Sequence, residues 1–322
     1  MAGTGAFGKA CSRKIIASHT ISRSAALNRI ARNGHVYAIS AEFSQLNKTG
    51  GRLVPVLKGI NRTSTFNGFC SDHDDGIFKP IDALDPEIDS GFCCRLAYRA
   101  VSKELYLKRQ LQRTQEQIAL LQSGRSIEQQ IFIDEYHAGM NAGMLAAVRD
   151  LEAYQVSLEQ MISSGKVGDW SHLVVKVQGV IPIATSSLFQ PEENLFRVKL
   201  QDLGDIETPT QAVVFSVLPL AGGGVFVLSF KRDEHQAASF VESLLPLSNE
   251  KIVSYLVGVA FERCENLAIS PDWWDALSGS TRDDLLAAMN RGVSPFGEDS
   301  SMLRPLEFRF ESLPALTEKQ ML

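Results

Sequence analysis

The sequence predicts an α+β fold in three parts: a small N-terminal module, a long antiparallel helical hairpin, and a C-terminal antiparallel sheet with helices. Three observations predict it. From residue 90 to about 163, apolar side chains recur at helical spacing with one short break. After Gly165 the pattern changes to short extended runs. Before residue 89, the segments are brief, basic and punctuated by turn residues. The predicted parts are residues 1–89, 90–166 and 167–322.

Within the first part, Gly3, Gly5 and Gly8 match a dinucleotide-type glycine spacing, but no strand precedes them, so the sequence predicts a flexible terminus there. Lys14 to Ala17 predicts a short strand ending at His19. Ser22 to Arg32 carries Ala26, Leu27 and Ile30 at helical spacing. Asn33-Gly34 predicts a turn into a strand that starts at His35, and Leu53 to Leu57 predicts a strand that Pro55 assigns to a sheet edge. Short strands with little core call for a staple.

In the second part, Ser90 is the expected N-cap of a helix running to Gln122, Gly124 stops it, and Ser126 with Gln129 forms a capping box for a second helix to about Ser163. Two helices of about 50 Å joined by one turn predict a hairpin, which would supply contacts for a homo-oligomer or space two domains. Cys93 and Cys94 fall near its start as packed thiols. In the third part, strands are predicted at Leu173–Val180, Phe196–Leu203, Ala212–Leu218 and Val225–Phe230. Helices follow at Glu234–Leu245, from Ser248, and at Trp273-Trp274, with Ser280 and Asp283 as a further capping box. Leu306, Phe308 and Phe310 predict a closing strand.

With 322 residues, 44% of them hydrophobic, the chain can bury a sizeable core. The uncharged stretch Gln211 to Phe230 is long enough to span a membrane, but Pro219 and Gly222 to Gly224 break it into two buried strands. No signal-peptide core is apparent at the start, and five cysteines, an odd number, predict reduced thiols and a cytoplasmic location. Charge is divided unequally: residues 1–70 carry ten Lys or Arg against Glu42 alone, while the remainder carries 22 basic and 36 acidic residues. Such a field predicts contact with nucleic acid, through Arg13, Lys14, Arg23, Arg29 and Arg32, docking of the basic segment on the acidic remainder, or a solvated face. No G-x-S-x-G elbow, Walker loop or H-E-x-x-H helix is present, so serine hydrolase, P-loop and zincin chemistries have no support.

The stretch Phe66 to Phe78, FNGFCSDHDDGIF, holds Cys70 and His73 between Gly68 and Gly76, two positions expected to permit backbone reversals. A Cys-x-x-His turn can aim a sulfur and a nitrogen at one tetrahedral ion, and Cys11 and His19 are the upstream residues that would complete a zinc site. Asp72, Asp74 and Asp75 could serve an oxygen-preferring ion, although their spacing matches no calcium loop.

These residues also resemble a pattern in uncharacterised bacterial proteins: a Cys, a Ser/Ala-His-Thr/Ser-Ile segment, Gly-His-Val-Tyr, and Gly-Phe-Cys-x-x-His-Asp-x-x-x-Phe. Here these fall at Cys11, Ser18–Ile21, Gly34–Tyr37 and Gly68–Phe78. The resemblance continues through Tyr98–Lys108 and Leu200–Leu203. The N-terminal pattern is similar to the treble-clef zinc knuckles of HNH-type nucleases. That resemblance implies knuckle positions at Cys11, Cys70 and His73, with His19 as general base rather than ligand. It also implies a second divalent ion near His35 or Asp74, and a role in defence against foreign DNA. Ser18 stands where such nucleases carry Asp or His before the base, and residues 1–10 supply no further Cys or His. His19 therefore has two expected roles, fourth ligand or base, and the alternative to a nuclease is a non-enzymatic scaffold with a structural zinc site.

Overall fold

The computed structural model describes residues 11–12, 14–39, 43–119, 124–166, 168–291, 313 and 315–322. The glycine-rich start, Arg13 and the strand expected around Leu306–Phe310 lie outside them.

The N-terminal segment begins with β1 (Ser18–His19), a π-turn over Arg23–Leu27 and a short helix α1 (Asn28–Ile30), where a single helix was expected. Ser22 explains the wide turn: its side chain accepts from the Ala25 amide, while its carbonyl accepts from the Leu27 amide at 2.9 Å. Asn33 and Gly34 both have positive φ, the geometry of a two-residue turn that reverses the chain between Arg32 and His35. Strand β2 (His35–Ile39) follows, then α2 (Phe43–Lys48), β3 (Pro55–Gly59), β4 (Thr65–Phe66) and α3 (Ser71–Phe78).

Two long helices come next, α4 (Ser90–Ala119) and α5 (Ile127–Ser164), and Asp89, whose side chain accepts from the Phe92 amide at 2.6 Å, caps α4 in place of the expected Ser90. The Ser126/Gln129 capping box is present with both hydrogen bonds, and Gly165 ends α5 in a left-handed conformation. Tyr98 donates to Glu159 at 2.7 Å and Arg109 pairs with Glu152, so the helices run antiparallel where they touch.

Strands β5 (Trp170–Gln178), β6 (Ile183–Phe189), β7 (Val213–Leu220) and β8 (Gly223–Lys231) precede α6 (His235–Ser243) and α7 (Asn249–Arg263). After these come β9 (Leu267–Ile269), α8 (Pro271–Ala276), α9 (Gly279–Asn290) and β10 (Leu316–Met321). Eight strands form one antiparallel sheet in the order β10-β5-β8-β7-β6-β9-β2-β3. Strand β2 joins it through β9, so residues from both ends of the chain share the sheet, and β3 occupies the edge that Pro55 requires.

Alternation along the strands gives the sheet two buried faces. Leu173, Val175, Phe215, Phe226 and Leu228 pack under α6–α9. Val174, Ala184, Val214, Val227 and Ala268 pack under α4, α5 and the N-terminal segment. Ser186, Ser216 and Ser229 lie on this second face, opposite Cys93, Cys94, Ala97 and Ala100 of α4. Small residues on both sides let the helix sit close to the strands.

Two expectations in the third part are corrected. Residues 196–203 form a loop rather than a strand. The Asn194 side chain accepts from the Phe196 and Val198 amides, Arg197 has φ of 65°, and Phe196 and Val198 are exposed. A side chain that captures backbone amides removes the donors a ladder needs. Helix α9 is capped by Ser278, whose hydroxyl accepts from the Thr281 amide, instead of by Ser280. The Gln211–Phe230 stretch is the β7–β8 hairpin, and among the described residues no helix is long and apolar enough to cross a membrane.

Candidate metal centre

The chain before β1 is zipped against the residues that lead into α3. Ser18 and His19 pair with Phe66 and Thr65, Ile15 bridges Cys70, and the Ile16 amide donates to the Phe69 carbonyl at 3.0 Å. Two short antiparallel strands followed by a helix thus form a ββα unit. Its register carries Cys11 alongside the N-terminus of α3.

Cys70 is the extended N-cap of α3, and His73 lies three residues on, in the first turn. That spacing sets Cys70 Sγ 3.4 Å from His73 Nδ1. With Cys11 they form a group whose ligand atoms all lie within 4.8 Å of one another, and which could hold a metal ion. The donor set fits. Tetrahedral bonds of 2.0–2.3 Å place ligand atoms about 3.5–3.8 Å apart, so a modest contraction would close the group on an ion. Cys70 and His73 are buried and Cys11 is half-buried.

Electrostatics prepares the sulfur. The Cys70 thiol is pulled down to about 6, first by a hydrogen bond with the Ser12 side chain, then by the His73 and Ser12 backbone amides and Cys11, against burial. A large share of it is therefore thiolate near neutrality, as metal ligation requires. Ser12 also bonds Ser71 through its hydroxyl at 3.2 Å, which ties the incoming chain to the helix.

Aromatic packing holds α3 in place. Phe69 meets Phe78 edge-on at 5.1 Å and Tyr98 of α4 at 5.9 Å, and Phe66 reaches Tyr106. Arg99, fully buried on α4, lies 4.1 Å over the Phe78 ring and makes a bidentate pair with Asp82 at 2.6 and 2.9 Å. Neither Gly68 nor Gly76 has positive φ, which corrects the expectation of reversals at them. Gly76 lies inside α3, and a Cβ on Gly68 would collide with the Phe66 ring.

His19 does not join Cys11, Cys70 and His73. Its Nε2 lies 3.0 Å from the Ile60 carbonyl, and a carbonyl only accepts, so Nε2 carries the proton and Nδ1 keeps the lone pair of a neutral ring. Burial lowers its pKa, reinforced by Arg23 and Arg99 and opposed by Ile60 and Asp82. Asp74, on the first turn of α3, feels both His19 and Arg99, and burial raises its carboxyl. Asp74, Asp75, Asp82, Lys79 and Ser71 line an open pocket of about 510 Å³.

The remaining predicted residues scatter. His35 is exposed at the start of β2, with Nδ1 on the Asn33 carbonyl at 2.8 Å. Lys14 and Arg23 are exposed, the latter bonded to Asn61. Arg29 reaches the Ala25 and Leu84 carbonyls, and Arg32 pairs with Asp272 at 3.2 Å and Asp275 at 2.6 Å. Ser12, Asp82 and Arg99 were not predicted. An arginine in an apolar helical run was the available signal for the last of these.

Comparison with known proteins finds no family model, no curated protein and no solved structure that matches this chain.

Proposed function

We propose that this chain is a zinc-binding, nucleic-acid-binding protein whose ββα unit works as an HNH-like nuclease. One observation carries the reading: His19 stands apart from the sulfur and nitrogen donors, with Nε2 committed to Ile60 and Nδ1 left basic. Two thiolates and an imidazole favour zinc among common divalent ions, and in this reading they clamp the ββα unit. His19 takes a proton from water as the water oxygen attacks a phosphodiester phosphorus, and the bond to the leaving sugar oxygen breaks. A hard divalent ion at Asp74 would offset the charge that develops on the phosphate. Lys14 and Arg23 hold the backbone.

The test is cleavage of plasmid and single-stranded substrates by the full chain with Mg²⁺ or Mn²⁺. His19→Ala should lower cleavage by about a hundredfold or more while zinc content stays unchanged. Retention on DNA should weaken linearly with log salt. A chain that neither cuts nor binds nucleic acid at low salt sinks the proposal.

Arg32 favours a second reading. Its guanidinium is already held by Asp272 and Asp275, as expected if the basic segment docks on the chain's own acidic remainder. The zinc site is then structural, and the protein is a non-enzymatic scaffold that self-associates through a helical hairpin. Stoichiometric zinc with no nucleic-acid affinity would select it.

A further inference from the structure

Of the five cysteines, Cys11 alone is more than slightly exposed, and its sulfur lies beside that of buried Cys70. The two sulfurs are within 4.8 Å of one another, and the Cys11 thiol donates to Cys70. A disulfide bond of about 2.0 Å leaves less than about 3 Å to close. The other three thiols offer no such pair. Cys93 and Cys94 are successive residues of α4, where side chains point about 100° apart, and Cys264 is fully enclosed at the end of α7.

The two partners are restrained differently. Cys70 is fixed by its bridge to Ile15 and by its carbonyl, which accepts from the Asp74 amide at 2.9 Å. Cys11 lies upstream of the point where the Lys14 carbonyl takes the Ser71 amide, and between them Ser12 touches Ser71 by an exposed hydroxyl contact of 3.2 Å. Closure therefore moves the Cys11 end and leaves the strand pairing in place.

We propose that Cys11 and Cys70 form a site of reversible oxidation, at which hydrogen peroxide joins the two sulfurs as a disulfide and so expels the metal ion. The half-buried Cys11 sulfur meets the oxidant. It attacks one peroxide oxygen, the O–O bond breaks, Cys11 becomes a sulfenic acid and the first water leaves. The Cys70 sulfur then attacks the Cys11 sulfur, the S–O bond breaks and a second water leaves. Two thiolates, one peroxide and two protons thus give one disulfide and two waters, and the sulfurs lose the two electrons that the peroxide gains. Ligation needs thiolate sulfur, so the disulfide leaves His73 as the remaining donor of the three. The link rests on the sulfur geometry; expulsion of the ion rests on the zinc reading.

The test exposes the reduced full chain, with and without bound zinc, to an excess of hydrogen peroxide. Alkylation after denaturation should find two of the five thiols lost, and peptide mapping should find Cys11 joined to Cys70 within one chain. A chromogenic chelator should register one zinc released per link, and dithiothreitol should restore both thiols and zinc binding. Cys70→Ser has no resolving sulfur and should accumulate a Cys11 sulfenic acid that dimedone traps; Cys11→Ser should form no link within the chain. Five intact thiols after peroxide overturn the inference. A link between two chains, a link to Cys93, Cys94 or Cys264, or zinc that stays on the linked chain overturns it too. A Cys11–Cys70 link in a chain that never takes up zinc sinks the zinc reading and leaves the oxidation site standing. Zinc held by a chain whose thiols survive peroxide does the reverse.

Discussion

Two cysteine–histidine contacts in this molecule have nearly the same length and opposite chemistry. Cys70 Sγ and His73 Nδ1 are 3.4 Å apart; Cys94 Sγ and His172 Nε2 are 3.5 Å apart. At the first, hydrogen bonds from the Ser12 side chain, from the His73 and Ser12 amides and from Cys11 pull the thiol down to about 6 against burial. At the second, burial pushes Cys94 up to about 12 and His172 down to about 4, and Ser229 holds the far ring nitrogen at 2.8 Å. The Cys70 sulfur is poised to ionise, whereas burial holds Cys94 and His172 neutral. Proximity of sulfur and imidazole therefore does not make a ligand set; the donors around the sulfur decide.

The largest expected contrast is in metal content. Cys70→Ala removes one of three clustered donors and should take bound metal from about one ion per chain to none, measured by elemental analysis after dialysis. Cys94→Ala should leave the content unchanged. Metal loss in the second variant with retention in the first would reverse the assignment of the two pairs.

A second contrast is in pH dependence. The ordinary histidine value is 6.5, while folded His172 protonates only near 4. Between those values the unfolded chain binds the extra proton and the folded chain does not, so stability is complete above about 6.5 and declines as pH falls toward 4. The decline is about 3 kcal/mol. His172→Gln keeps hydrogen-bonding capacity and removes the titration. Denaturant melts of that variant across this window should show a flatter profile than wild type.

Sequence reading reached the two regions unequally, for physical reasons. Cys11, Cys70 and His73 were legible because ligand chemistry is written in residue type, and the Cys-x-x-His spacing survives as one turn at a helix start. The place of His19 outside that group was not, because its ring is held by a carbonyl 41 residues away. His172 and Ser229 were invisible as partners of Cys94, since strand pairing between β5 and β8 and the seating of α4 over them are tertiary facts. In the fold, the long helices and the β7–β8 hairpin were legible from caps, periodicity and glycine placement. Strand β6 was not predicted: Thr185, Ser186 and Ser187 are polar and still fully buried, because they lie between helices on both faces. Residues 196–203 failed in the other direction. Alternation of Phe196, Val198 and Leu200 satisfies a strand template, yet Asn194 takes up the amides.

The smallest expected effect isolates what distinguishes the two pairs. Ser12 is exposed and supplies the first of the hydrogen bonds that favour the Cys70 thiolate, so Ser12→Ala should leave the fold intact while raising the thiol toward its ordinary value of 9.0. Protons then compete better for the sulfur. Metal affinity at neutral pH should fall by about tenfold or less, the worth of one exposed hydrogen bond to a charged atom. The pH at which metal is released should move upward. Ser229→Ala, the matching change beside His172, should move neither quantity, because no ionised sulfur depends on it. If Ser12→Ala leaves the release pH where it was, the His73 and Ser12 amides and Cys11 suffice to hold the thiolate, and the Ser12 hydroxyl serves only to fasten the incoming chain to Ser71.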